Sequence, residues 1–187
     1  TVRAGCEHTF DLVSRGTDDA VKGSYFDSSA PVIGGAEVPV GSTLQGYGEG
    51  RFVAFVSNAA GLAGSTGAKR QVFWRDSLTG ETRLISTSAA GTEGNGDSFA
   101  PAISADGLSV AFESYASNLV AGDTNGVRDV FIWRANGPSP GVTRVSVGAG
   151  AAEANAESYE PTLSGDGLVV AFSSGASNLS TGVSGIN

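Results

Sequence analysis

An all-β chain of short antiparallel strands is what this sequence predicts, on three observations. Glycine supplies 28 of the 187 residues, a level that suits many tight turns rather than long helices. The apolar runs are short and bounded by turn residues, as in Arg51 to Ser57 (RFVAFVS) and Gln71 to Arg75 (QVFWR). The third observation is copying. The stretch SFAPAISADGLSVAFESYASN, Ser98 to Asn118, recurs as SYEPTLSGDGLVVAFSSGASN, Ser158 to Asn178, and GEGRFVAFVSNAAGL, Gly48 to Leu62, is a weaker copy.

Taken in order, the chain opens with His8 to Ser14 (HTFDLVS), which alternates in the manner of a strand. It resembles Glu81 to Ser88 and Val142 to Gly148, each of which closes a repeat. Residues 1–14 are therefore expected to hold a closing strand that belongs to the last or a neighbouring unit. Residues 15–43 have no later counterpart and read as an insertion loop, with short extended pieces at Tyr25-Phe26 and Pro31 to Ile33. The first repeat follows at 44–88, with strands Arg51 to Ser57, Gln71 to Arg75 and Glu81 to Ser88 and a hairpin turn at Thr79-Gly80. The second, at 98–148, has strands at Pro101 to Ser104, Leu108 to Ser114, Arg128 to Arg134 and Val142 to Val147. A partial third, at 158–187, has Pro161 to Ser164 and Leu168 to Ser174.

Phe55, Phe112 and Phe172 stand 57 and 60 residues apart. Four strands in about 60 residues is the period of a β-propeller blade with generous loops. A two-sheet sandwich also uses short strands and turns, but it has no reason to copy its loops. Here the loops are copied. Glu93, Asn95, Asp97, Ser98 and Pro101 return as Glu153, Asn155, Glu157, Ser158 and Pro161, and Asp106-Gly107 returns as Asp166-Gly167, with Glu49-Gly50 in the first repeat. Asp-Gly supplies positive φ at low steric cost. The expected architecture is thus an incomplete ring of about two and a half four-stranded antiparallel blades plus the N-terminal closing strand.

Composition narrows the function. The net charge of -8 and the pI near 4.5 argue against nucleic acid, whose phosphates need a basic face, and against an anionic membrane surface. No stretch approaches the roughly 18 apolar residues of a membrane span, so no membrane insertion is expected. One cysteine, Cys6, permits no internal disulfide. Val2-Arg3-Ala4-Gly5 before it resembles the tail of a lipoprotein signal, with Arg3 where leucine belongs. A free thiol, or one paired with another chain, is the favoured reading. The acidic, lysine-poor composition fits a secreted, periplasmic or cell-surface protein.

The repeat units resemble those of the TolB-like β-propellers, with their WD-like repeats. The residues that carry the resemblance are P-x-I-S-x-D-G-x-x-V-A-F at Pro101 to Phe112, its relative at Pro161 to Phe172, and S-N-L at Ser117 to Leu119 and Ser177 to Leu179. GDTNGVRDVF at Gly122 to Phe131 and VFWRDSLTGETRLIS at Val72 to Ser86 add to it. The resemblance covers roughly Leu44 to Asn187. It implies binding partners, periplasmic accessory proteins or appendages of hydrolases, and a ring locked by an N-terminal strand in the last blade. Propellers close with four or more blades, and open strand edges aggregate. The missing blades are therefore expected in cis, from another protein chain, or from a second copy of this one.

Candidate chemistry lies in the loops. Asp123, Asn125 and Asp129, with the carbonyl of Val127, resemble part of a calcium loop, and calcium is the cofactor considered there. The alternative is an Asx-turn folded without metal. Glu93, Asp97, Glu153 and Glu157 recur on loops that a radial arrangement would gather on one face, as a ligand-binding ring or as solvated turns. Trp74 and Trp133, on strands, are expected in packing. Tyr115, on a loop, is the aromatic placed to meet a ligand such as a glycan. No catalytic residue is assigned: His8 is the sole histidine, and no G-x-S-x-G elbow exists. The expected function is a non-enzymatic binding or scaffold module. The alternatives are a self-assembling structural subunit that exchanges strands between protomers, and an appendage of a polysaccharide-active or peptidase enzyme.

Overall fold

The computed structural model describes residues 28–34, 50–136 and 140–179. They form ten strands: β1 (Ser28–Gly34), β2 (Phe52–Ser57), β3 (Gln71–Asp76), β4 (Thr82–Leu84), β5 (Ser98–Ile103), β6 (Ser109–Ser114), β7 (Asp129–Arg134), β8 (Gly141–Arg144), β9 (Ser158–Leu163) and β10 (Val170–Ser174). Two antiparallel sheets have four strands each, in the orders β1-β2-β3-β4 and β5-β6-β7-β8, and a third pairs β9 with β10. None of the three closes on itself. The described residues contain no α-helix, and none of their helices is long and apolar enough to cross a membrane. Cys6, the strand expected at His8 to Ser14, Tyr25-Phe26 and residues 180–187 lie outside the described residues.

One boundary differs from the sequence expectation. The first sheet begins at β1, inside the stretch read as an insertion loop; the extended piece read at Pro31 to Ile33 is the core of a longer strand paired with β2. Its reason is a copied local conformation. Ser28-Ser29-Ala30-Pro31, Ser98-Phe99-Ala100-Pro101 and Ser158-Tyr159-Glu160-Pro161 place a serine first and a proline fourth. The third residue of each, Ala30, Ala100 or Glu160, has positive φ, at 50°, 46° and 54°. The pairing register slips there in all three sheets. Each first strand therefore carries a bulge followed by a proline that has no amide to lose from the ladder.

The sheets stack in chain order. Phe52, Ala54, Val56, Val72 and Trp74 on one face of the first meet Val110, Phe112, Phe131 and Trp133 of the second. Trp74 and Trp133 are buried there, with ring centroids 5.8 Å apart. Burying a side chain of this size contributes about 2–3 kcal/mol. The other face of the first sheet forms a second cluster of Val53, Phe55 and Phe73 with Ala59 and Leu62. The far face of the second sheet packs on β9.

A repeated joint fixes this stacking. Ser98 N donates to Arg70 O at 2.9 Å, and Ser158 N to Arg128 O at 2.8 Å, so β5 and β9 each hang on the residue directly before the third strand of the preceding sheet. At the other end, the turn that follows each first strand docks on the same preceding sheet. Trp74 Nε1 donates to Gly107 O at 2.7 Å, and Arg134 Nη2 to Gly167 O at 3.4 Å. Asp106 Oδ1 ties that turn by accepting from Ser104 Oγ at 2.6 Å and Leu108 N at 2.9 Å, and Asp166 repeats the bonds with Ser164 and Leu168.

Candidate ligand-binding rim

The copied loop residues divide into three groups. The first is a clasp. Asn95 N donates to Asn118 Oδ1 at 2.9 Å, Asn95 Nδ2 to Ser117 Oγ at 3.0 Å, Ser117 N to Asn95 Oδ1 at 2.9 Å and Asn118 Nδ2 to Glu93 O at 2.9 Å. Asn155, Ser177, Asn178 and Glu153 repeat all four bonds. The clasp ties the entry of each first strand to the exit of the second. It accounts for the copied Ser-Asn pair without a ligand.

The second group joins sheet to sheet. The Glu93 carboxylate accepts from Ser65 Oγ and Thr66 N, both at 2.9 Å. The Glu153 carboxylate accepts from Thr124 N at 2.7 Å and Thr124 Oγ1 at 2.6 Å. Glu93 and Glu153 are thus committed to loops of the preceding sheet. Thr124 holds the Glu153 carboxyl down at about 2, first through its hydroxyl, then its amide, with Arg144 adding to both.

The third group forms a rim where first strands begin and third strands start. Asp97 Oδ1 accepts from Arg70 N at 2.9 Å. Glu157 accepts from Tyr115 Oη and from Arg128 Nη2, both at 3.2 Å. Arg128 also donates to Glu113 at 3.0 Å, while the bulged Glu160 N donates to the second Glu113 oxygen at 2.8 Å. The Arg128 guanidinium lies 4.8 Å from the Tyr159 ring centroid and 5.7 Å from that of Tyr115, within cation–π range. Phe99 meets Tyr115 edge-on at 6.3 Å, and Arg70 lies 5.8 Å from Phe99. The rim therefore reads Arg70, Phe99, Tyr115, Arg128, Tyr159. Tyr115 is 45% exposed. Burial first, then Glu157 and Glu113 against the pull of Arg128, raise its phenol above the usual 10. For Arg128 the lowering effect of burial is outweighed by Glu113, Tyr115 and Glu157, and it stays protonated.

Of the five residues expected to bind ligand, the structure brings Tyr115 and Glu157 into one cluster and sets Asp97 at the Arg70 end of the same rim. Glu93 and Glu153 are not part of it. Arg128 and Glu113 were missed by sequence reasoning. The signal for the first was present: Arg70 and Arg128 each stand directly before a third strand, 58 residues apart. Glu113 had no signal, because its counterpart in the first sheet is Val56.

The Asp123 loop is filled by a side chain. Arg144 Nη1 lies 2.8 Å from Glu153 Oε1, 3.3 Å from Asp123 Oδ1 and 3.6 Å from Asp129 Oδ2. Ser146 Oγ donates to Asp129 Oδ1 at 2.5 Å, and Asn125 Nδ2 to Asp129 Oδ2 at 2.9 Å. Asn125 Oδ1 accepts from Val127 N at 3.1 Å, which is the Asx-turn alternative. The guanidinium thus lies among the three carboxylates and closes the loop with the chain's own side chains. Among the described residues no group of three or more His, Cys, Asp or Glu is placed to hold a metal ion. Burial, and then the Asp129 carboxylate, push Asp123 up to about 6 in spite of Arg144.

These features define an all-β protein of stacked antiparallel sheets joined by a copied joint, with a mixed aromatic and charged rim. No family model matches the chain, and no curated protein matches it. Among solved structures it is similar to TolB from Acinetobacter baumannii, at 19% identity and a TM-score of 0.23 over 66% of this chain. The chain spans 35% of the length of that TolB. So slight a likeness carries no argument, and the reading of the fold rests on the sheets themselves.

Proposed function

We propose that the chain is part of a TolB-like β-propeller, a non-enzymatic binding module of a secreted, periplasmic or cell-surface protein that engages a glycan or protein on its rim. The repeated joint is the observation that carries this reading. The same strand-to-strand bond recurs from the first sheet to the second and from the second to the third, and each time the glycine carbonyl of the turn accepts from the preceding sheet, from Trp74 and then from Arg134, as wedges of one disc require. The rim supports the binding role. Tyr115 offers an exposed flat ring beside Glu157 and Arg128, which suits a sugar with one apolar face and hydroxyls at its edge. A glycan array probed with the wild-type chain and with Tyr115→Ala tests it. The expected result is a defined set of bound glycans whose signal falls at least tenfold in the variant. Binding untouched by Tyr115→Ala overturns the rim as the site.

A second reading, a structural subunit that takes a strand from a neighbouring chain, is favoured by one observation. β10 pairs only with β9 among the described residues, and its Ala171, Ser173 and Ser174 are exposed. A stable monomer of 18.7 kDa at micromolar concentration, measured by light scattering with no partner added, counts against self-assembly.

A further inference from the structure

The joint between sheets builds the same small site twice, and the chain fills only one copy. Where the second sheet meets the third, Arg128 stands directly before β7, one step beyond the strand pair of Ser114 and Asp129. Its guanidinium lies over Tyr159 of β9 and is held by two carboxylates of the chain, Glu113 at 3.0 Å and Glu157 at 3.2 Å. Where the first sheet meets the second, Arg70 takes the same place before β3, over Phe99 of β5.

Neither carboxylate meets the guanidinium there. Val56 stands in the position of Glu113. Asp97 stands in the position of Glu157, is one methylene shorter, and accepts from the Arg70 amide through Oδ1. Arg70 is exposed, and among the described residues its guanidinium has no ion pair. The filled copy shows what such a fork takes. A guanidinium is always charged and matches the planar carboxylate with parallel donors. The rim leads from it to the exposed tyrosine in two steps, 5.8 Å from Arg70 to the Phe99 ring and 6.3 Å from that ring to Tyr115. Both ends lie within the span of a short oligosaccharide.

We propose that the rim binds an acidic glycan, an oligosaccharide containing uronic acid, whose carboxylate pairs with Arg70 while a neighbouring sugar stacks on Tyr115. The inference rests on the rim reading above and names the class of its ligand. The chain carries a net charge of -8, so the attraction comes from this one fork rather than from the field of the whole molecule.

The probes are short oligosaccharides of galacturonate, of mannuronate and of glucuronate with a neutral sugar, titrated into the full chain by calorimetry. Each is paired with its methyl ester, which keeps the sugar and removes the charge. One uronate series is expected to bind, about tenfold or more above its ester, the effect of one charge-assisted pair. Arg70→Gln brings the acid down to the affinity of the ester. Arg83→Gln removes the same charge from an exposed position on β4 and leaves the preference for the acid intact. Circular dichroism confirms that both variants fold. Acid and ester bound alike, with Tyr115→Ala weakening both, overturns the acidic ligand and leaves the rim reading standing. A preference for the acid that survives Arg70→Gln overturns the assignment to this fork. Sulfated oligosaccharides bound as tightly as the uronates overturn the carboxylate. No binding of any uronate overturns the inference, and a blank glycan array beside it overturns the rim reading as well.

Discussion

Gly107→Ala is expected to destabilise the protein by about 3–5 kcal/mol and to lower Tm by roughly 10 °C, the usual scaling for a chain of this size. Three effects add at this one position. Gly107 has φ of +72°, which an L residue adopts only at a cost of about 1–2 kcal/mol. The added methyl would lie 2.1 Å from Phe52 Cδ2 and 2.3 Å from Phe52 Cγ, so the turn must move off the first sheet. Moving it breaks the bond from Trp74 Nε1 to Gly107 O and leaves a buried indole donor unpaired, at about 1–3 kcal/mol. Gly80→Ala is the control. Its φ is +76°, and a methyl added there would meet nothing within 4 Å, so strain alone should cost about 1 kcal/mol. Thermal unfolding of both variants separates strain from docking. Equal losses would mean that the turn does not hold the two sheets together.

The same turn shows how much of the fold could be read from residues alone. Asp106-Gly107 and Asp166-Gly167 were legible as turns, because the pair names its own conformation. That the turn docks on the preceding sheet was not legible, since its partners there, Phe52 and Ser109, have nothing in common. β1 was legible only in part, as a short extended piece at Pro31 to Ile33, for a related reason. Its Ser-x-x-Pro pattern recurs in β5 and β9, but the apolar run is short, and its strand character comes from pairing with β2 rather than from its own composition. The bulge at Ala30, Ala100 and Glu160 is imposed by that pairing on residues with no shared side-chain chemistry. At the rim, Tyr115 and Glu157 could be singled out because one is a loop aromatic and the other a copied acid. That Glu93 and Glu153, equally copied, serve another purpose depends on Thr66 and Thr124, residues that carry no signal until the sheets are stacked. The register of the last strands misleads in the same way. Thr82-Arg83-Leu84 and Thr143-Arg144-Val145 look equivalent, yet the ladder sets Leu84, not Arg83, opposite Phe73 as Arg144 is opposite Phe131. The one-residue shift turns Arg144 inward, among the carboxylates.

Arg144→Gln is therefore expected to cost about 3–5 kcal/mol, the penalty for removing one partner from a buried charged network. Its side chain is 8% exposed, and those of Asp123 and Asp129 are 4% and 0% exposed. Without the guanidinium these two carboxylates face each other with no cation between them. Millimolar calcium should then raise the Tm of Arg144→Gln while leaving that of the wild type unchanged. A wild-type Tm that climbs with calcium and falls with chelator would show that the loop holds the ion beside the arginine. Acid titration supplies an independent check. Asp123 is raised from 3.8 to about 6, so the folded chain binds a proton that the unfolded chain has released. That stabilisation is complete below about pH 3.8 and is lost as pH rises through 6. Glu153, lowered from 4.5 to about 2, acts in the opposite sense: its contribution is present above pH 4.5 and disappears as pH falls towards 2. Between about pH 5.5 and 7 Glu153 is ionised in both states, so Asp123 sets the slope of this cluster. Stability should fall by about 0.5 kcal/mol across that window, after allowance for solvent screening. Asp123→Asn should flatten the fall, because an amide keeps the shape of the protonated acid and cannot ionise. A slope that persists in Asp123→Asn would place the titrating group elsewhere and remove the case for a strained acid beside Arg144.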